Sequence, residues 1–424
     1  MAKVVPFEAF HYNTARFGQD VKRLVSPPYD VIDGCLERKL KEDRLNVTHI
    51  ILGDESDSYA VAARRLRTWI EDGVLVKDPG KSFYLYEQTF SMADGTARVR
   101  SGIVGLVKLE EFSKGVVLPH EKTIPKHKAD RMELMCAVGG DTEQVFLLYD
   151  EPSNQIETIL TDARKKEEEL RFFDSDGVQH RIVRIDDPQL VDRISELFGP
   201  VHLLIADGHH RYETSLEYRN RRRAEERADG EQPYDYIMAS LVSLRDRGLV
   251  IYPTHRLIQG VDPKLLERLP RELEGEFELK SLPNAEQLVE AVEKSTRGSF
   301  GVWIPCSGTF LLASPRDGQP AASPIENLPV WIVQEKVLKK ILGYTSEMLD
   351  TKVDIEYVKG TGPAKELMDT GEYQACFFVK PPTVEQVMTI AQSGQKMPHK
   401  STYFFPKIWS GTLLHLFDQG QRAC

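Results

Sequence analysis

Apolar residues recur along this chain with two periods, and their interleaving predicts a protein of mixed α and β structure. Ser58–Asp72 (SYAVAARRLRTWIED) has helical spacing behind a capping serine, with Gly73 as a stop, and predicts a helix. Phe83–Phe90 and Ala97–Leu109 read as strands flanking Asp94-Gly95, a hairpin signal. Gln144–Tyr149 predicts a short buried strand and Gln155–Leu170 a charged amphipathic helix. Arg171–Ile185 reads as a second hairpin about Asp176-Gly177, and Pro188–Phe198 as a helix capped by Asp187. Val201–Ala206 is a buried strand that passes through a polar turn into an arginine-rich helix, and Tyr236–Leu244 and Leu249–Tyr252 are further strands. Beyond Arg256, helices (Lys264–Leu273, Ala285–Lys294, Pro329–Leu342, Val384–Gln392) alternate with strands (Phe300–Pro305, Thr309–Ala313, Gln374–Val379). This change of pattern places a junction near residue 260, between a 1–260 core and a smaller α+β portion over 261–424.

Composition narrows the class. The 424 residues carry 55 Lys+Arg against 65 Asp+Glu, a net charge of −10, which lowers the expectation of a dedicated nucleic-acid binder. No apolar run approaches the ~18 residues of a membrane span, and the first residues have no secretory apolar core, so a cytoplasmic location is expected. Five scattered cysteines with no CxxC exclude a disulfide framework and a structural zinc ribbon.

Chemistry concentrates in a few segments. Asp207-Gly208-His209-His210-Arg211 lies where a strand meets a helix, leaving backbone N–H groups at the positive helix end, a ready anion site. Gly208 admits a close approach, Arg211 can clamp a phosphate with two hydrogen bonds, and His209 and His210 can donate or shuttle a proton. The plainer reading is a capped helix. Adjacent histidines diverge by about 100° on a helix, so a shared zinc is disfavoured. Pro119–Arg131 (PHEKTIPKHKADR) gathers four cations and two histidines within twelve residues, with its prolines holding part of it extended. Lys126, Lys128 and Arg131 could neutralise phosphates there, and Glu121 or His120 could move a proton, unless the run is only a solvated loop. Lys400–Gly411 (KSTYFFPKIWSG) sets Lys400, Ser401 and Lys407 around an aromatic strand, and Pro253–Arg256 is a smaller cluster of the same kind. Ser26–Asp30 reads as a rigid turn, in which Tyr29 and Asp30 could line a pocket. The arginines at 219, 221, 222, 223 and 227 alternate with glutamates and predict a solvated, ion-paired helix face. No GxxxxGK[ST], GxGxxG, GxSxG or HExxH occurs.

The ordered set PPYDVI (27–32), LPHEKT..K.KADR (118–131), ADGHHRYET (206–214), PTHR (253–256) and KSTYFFPK..SG (400–411) resembles the prokaryotic family known as domain of unknown function 1015, over essentially the full length. The strand–DGHHR–helix unit is also similar to the central motif of the ParB/sulfiredoxin superfamily, which includes CTP-binding partition proteins, sulfiredoxin and free serine kinase. The likeness reaches Gly208, His209, His210 and Arg211. It implies a ParB/sulfiredoxin-like core whose turn cradles nucleotide phosphates. The chain lacks the helix-turn-helix of partition proteins and the sulfiredoxin cysteine, which argues against both of those activities.

These readings together predict a nucleotide-dependent phosphotransferase, or a phosphatase, acting on a small hydroxylated or phosphorylated metabolite such as serine or phosphoserine. Gly208, His209, Arg211, Lys126, Lys128, Arg131, Lys400, Ser401 and Lys407 would bind phosphates. Glu121, His120, His210 and Asp207 would carry proton transfer, with Asp207 or Glu121 able to hold the Mg²⁺ that accompanies ATP or ADP. The last motif is expected to return to the site, and a homodimer is allowed. The alternative is a nucleotide-sensing regulatory or DNA-associated ParB-like protein without turnover.

Overall fold

The strands of one part of the chain are, in order, Val4–Val5 (β1), Phe83–Ser91 (β2), Ala97–Lys108 (β3), Val117–Leu118 (β4), Val145–Tyr149 (β5), Leu170–Phe173 (β6), Gln179–Ile185 (β7), Leu203–Asp207 (β8) and Tyr236–Ser243 (β9). In this computed structural model, which describes residues 1–53, 59–123, 125–295, 298–316 and 323–417 apart from the side chains of 125–127, they form one nine-stranded mixed sheet. The order is β4-β8-β5-β9-β3-β2-β7-β6, with β1 also pairing β3. Alternate residues of the strands, such as Leu85, Ile103, Leu147, Ile205 and Ala239, share one core with three helices. These are Gln155–Ala163 through Ile156 and Leu160, Pro188–Phe198 through Ile194 and Phe198, and His209–Glu226 through Tyr212 and Leu216. Residues of the other face, such as Phe146, Leu148 and Leu204, are also buried, which explains why β5 and β8 read as unbroken apolar runs.

By contacts the chain divides into two units: the described residues of 1–119, 123–250 and 406–417 form the first, and 120–122 with 251–405 the second. The second holds Thr254–Ile258 (β10), Phe277–Ser281 (β11), Phe300–Ile304 (β12), Thr309–Pro315 (β13), Ile355–Lys359 (β14) and Ala375–Val379 (β15). They form an antiparallel sheet in the order β11-β13-β12-β15-β10-β14. Leu257, Trp303, Cys376 and Phe378 pack one face of it against helices Ala285–Lys294 and Thr361–Asp369. The mixed α+β class follows directly.

Several local expectations need correction. The helix starting at Gln155 ends at Ala163, because Leu170 pairs with Ile182 in the sheet and the charged run before it cannot continue into a buried strand. Pro125 does not hold the chain extended but opens the helix Pro125–Val138, where its missing N–H costs nothing. The helix expected over Pro329–Leu342 is α-helical only to Ile332 and continues with π hydrogen bonding over Val333–Ile341. Strands β10 and β14 and the helix Thr361–Asp369 lie where no element was expected. Arg256 and His255 interrupt the apolar signal of β10, and Gly362-Pro363 reads as a breaker although both sit in a first helical turn. Ser58, expected to cap a helix, lies outside the described residues, and that helix runs Ala60–Glu71. The arginine-rich helix is ion-paired as expected, with Arg221 to Glu217, Arg222 to Glu226, and Arg219 to Glu111 at 3.0 Å.

Candidate functional site

The turn after β8 is built by one glycine. Gly208 has φ +91°, and a Cβ there would meet the Arg211 guanidinium at 3.1 Å. A side chain would therefore strain the backbone and push away the arginine folded over the turn. Just before it, the β8–β5 register shifts between Ile205 and Asp207, which sets Asp207 opposite Phe146. His209 is buried in the first helical turn and His210 is half-buried.

Asp207 does not cap the helix that follows. Its Oδ2 accepts from Lys407 Nζ at 2.8 Å and its Oδ1 from the Gly208 N–H at 3.0 Å. Burial would raise the carboxyl, but the charges of Lys407 and Arg211 outweigh it and hold Asp207 well below the usual carboxylate range. Such a group is a poor proton acceptor near neutral pH, and each of its oxygens already accepts one hydrogen bond.

Arg211, Thr214 and Ser215 stand at i, i+3 and i+4 on one helix face. They line a cleft in the first unit together with Arg131, Leu134, Met135, Ile237 and the segment Gly140–Glu143. Arg211 donates through Nη1 to the Gln144 carbonyl oxygen. Burial acts against its charge, but Glu143, Asp207 and Asp30 more than offset this, and its affinity for the proton rises. Arg131 is buried, stacks over the Tyr29 ring at 4.1 Å, donates to Tyr59 Oη at 2.8 Å and pairs with Asp130 at 2.6 Å. Its Nη1 lies 3.6 Å from Glu143 Oε2, an ion pair that is not a hydrogen bond. Glu143 Oε1 in turn accepts from Ser410 Oγ at 2.8 Å and the Tyr29 N–H at 3.2 Å. Gly140 lets the returning C-terminal strand pass: a Cβ there would lie 2.4 Å from the His415 carbonyl oxygen.

Four buried polar atoms of this cleft have no hydrogen-bond partner among the described residues: Arg131 Nη1, Arg211 Nε, Thr214 Oγ1 and Ser215 Oγ. Buried polar groups are nearly always satisfied, so four on one cleft wall mark a place shaped for something that accepts hydrogen bonds. Two of the four are edges of guanidinium groups, which match an oxyanion.

The other expected site residues divide between the units. Lys128 pairs with Glu213 at 3.1 Å in the first. The Lys126 side chain lies outside the described residues. His120, Glu121, Lys400 and Ser401 belong to the second unit. There His120 Nε2 is 3.0 Å from Thr402 Oγ1, which donates to Glu121 Oε1 at 3.2 Å. Ser401 Oγ is buried and donates to the Pro398 carbonyl oxygen at 2.6 Å, which holds a turn. Among the described residues no group of three His, Cys, Asp or Glu side chains is placed to hold a metal ion. Sequence reasoning missed Glu143, Thr142, Thr214 and Ser215. The polar run Gly139–Gln144 immediately ahead of a buried strand, and the i+3, i+4 hydroxyls after Arg211, were the available signals.

No curated protein matches the chain. Among solved structures it is similar to a free serine kinase in complex with AMP, at 19% identity and a TM-score of 0.35, over 68% of this chain and 83% of that one. A conserved hypothetical protein from Pyrococcus furiosus matches at 21% identity and a TM-score of 0.36, over 69% of this chain and 89% of the other. SbnI from Staphylococcus aureus, with a C-terminal truncation, matches at 8% identity and a TM-score of 0.33, over 75% and 84%. Scores at this level are too low to transfer an activity. The sequence family is decided by another match. Every residue lining the cleft, from Arg131 to Ile237, falls inside residues 4–331, the span that matches the family described as protein of unknown function (DUF1015), and the chain belongs to that family.

Proposed function

We propose that the cleft of the first unit binds the phosphate groups of a nucleotide, and that the protein transfers or removes a phosphoryl group on a small hydroxylated metabolite. The observation that carries this reading is the set of four unpartnered buried donors on Arg131, Arg211, Thr214 and Ser215. Phosphoryl transfer asks chiefly for positioning and for charge stabilisation on the transferred group, and two guanidinium edges with two hydroxyls supply both. Asp207 serves to fix Lys407 and the turn and does not act as a base. Neutralised by Lys407, it is also an unsuitable Mg²⁺ ligand, so any Mg²⁺ arrives with the nucleotide. His210, half-buried beside Arg211, is the proton carrier to test first. The likeness of the motif Gly208–Arg211 to that of free serine kinase makes serine and phosphoserine the first acceptor and donor to try.

Titration calorimetry with ADP, ATP and phosphoserine, followed by turnover monitored by ³¹P NMR, tests the reading. Wild-type protein is expected to bind at least one of them. His210→Ala should lower turnover more than affinity if the imidazole moves a proton. Failure of all three to bind, or equal affinity in Arg211→Ala, would overturn it.

A further inference from the structure

The second unit buries a charge that its own residues leave unbalanced. Arg256 lies in the middle of β10 with no exposed surface. Strands β14 and β15 flank it, and its cross-strand partners are Tyr357 and Phe377. Its neighbours His255 and Leu257 point to the opposite face, where His255 meets Phe378 and Leu257 joins the helix-covered core.

Among the described residues the guanidinium donates to two backbone carbonyl oxygens, those of Thr254 through Nη1 and of Lys400 through Nη2 at 3.3 Å. Its Nε has no partner, and its carbon stands 5.4 Å from the Tyr357 ring centroid. Among the described residues it forms no ion pair with a carboxylate. Glu121 is the carboxylate whose charge reaches it, but Glu121 already accepts from Thr402 and lies 3.9 Å from His120 Nε2. A second cation stands on the same face of β14, where Lys359 Nζ lies 4.1 Å from the Tyr403 ring centroid.

A buried guanidinium without a counter-charge is costly, and the usual resolutions are a protein carboxylate, a lowered proton affinity or a bound anion. The first is missing, and burial lowers the Arg256 pKa only to about 10, so the group stays charged at neutral pH. We propose that the second unit carries an oxyanion site at Arg256, which takes the carboxylate or phosphate group of a small acid on the unpartnered Nε edge of the guanidinium. The adjacent Lys400 carbonyl that helps hold Arg256 comes from a residue with φ +57°, a left-handed conformation lysine seldom adopts. This inference does not rest on the reading of the first unit's cleft.

The test uses full-length Arg211→Ala protein, in which the first unit's cleft is weakened, and two probes added separately, inorganic phosphate and malonate. Calorimetry is expected to show saturable binding of at least one probe, reduced at least tenfold when Arg256→Met is added. Phosphate alone assigns a phosphoryl ligand and malonate alone a carboxylic acid. Undiminished binding in the double variant, or no binding of either probe to Arg211→Ala, overturns the site. Should Arg256→Met fail to fold, hydrogen exchange on Arg211→Ala replaces it. Slower exchange at 254–258 and 398–402 on adding a probe is expected, and unchanged exchange there refutes the proposal.

Discussion

Arg131 and Arg256 are both buried guanidinium groups, one in each unit, and they are satisfied in opposite ways. Arg131 is enclosed by Asp130, Glu143 and the Tyr59 hydroxyl and rests on the Tyr29 ring. Among the described residues Arg256 has two carbonyl oxygens, one ring and no carboxylate. Burial of a charge is common to both and so identifies neither role. The partner set does: carboxylates hold Arg131 and leave one Nη1 edge open to its cleft, while among the described residues Arg256 has no carboxylate partner.

The comparison breaks most readily at Arg131. Arg131→Ala leaves Glu143 buried without its nearest cation, and unfolding in urea should show a loss of about 3–5 kcal/mol. A loss below about 1 kcal/mol would mean that the pair does not hold the cleft.

Arg211→Ala should act on ligand more than on fold. Losing a charge-assisted contact is worth roughly 1.5–3 kcal/mol, so nucleotide affinity should fall about tenfold or more by calorimetry, with a much smaller change in melting temperature. A large melting change with unaltered affinity would make Arg211 a structural arginine.

Beside Arg256, His255 gives a pH prediction. Its Nδ1 accepts from the Val379 N–H at 3.2 Å, which only the neutral ring can do, and burial next to Arg256 lowers its pKa from 6.5 to about 3. The unfolded imidazole therefore takes a proton below pH 6.5 that the folded one refuses. Stability conferred above that pH is lost as pH falls, at up to about 1.4 kcal/mol per pH unit. From pH 7 to 5 this is about 2 kcal/mol, and denaturant titrations of wild type and His255→Gln should diverge in that sense. Parallel pH profiles would show that the folded ring takes up its proton as the unfolded one does.

The smallest effect is expected at Arg256 itself. In buffer free of phosphate and carboxylates, Arg256→Met should leave the unfolding free energy unchanged or raise it by roughly 1 kcal/mol, because a hydrophobic side chain of similar length needs no counter-charge. A loss as large as that of Arg131→Ala would show that the two carbonyls and the ring suffice as partners.

The strongest periodic segments were legible without coordinates. Both hairpins, the helix Pro188–Phe198 with its Asp187 cap, and the strand–turn–helix unit around Gly208 follow from local spacing and turn chemistry. The candidate cleft was legible by halves. Arg131 and Arg211 stood out as cations beside histidines and prolines, whereas Glu143, Thr214 and Ser215 look like ordinary polar residues. A hydroxyl announces itself only when its surroundings deny it a partner, and this is a property of packing. Likewise β10 was hidden by Arg256 and His255, because a strand flanked on both sides can bury polar residues that a hydropathy pattern assigns to water.

What the sequence determined by itself is the set of short-range facts: the mixed α and β class, the positive-φ turn that demands Gly208, and the family to which the motifs belong. The first two depend on interactions within a few residues, where propensity, capping and sterics operate, and the third on the order of the motifs along the chain. Only the tertiary structure decided which charges meet. Lys407 lies 200 residues from Asp207 in sequence and 2.8 Å from it in space, and it turns a candidate base into one half of an ion pair. Arg131 found carboxylates and Arg256 found none, although both read alike as arginines in polar motifs. Coulombic and desolvation energies depend on distance and burial through space, and neither quantity is written in the order of residues along the chain.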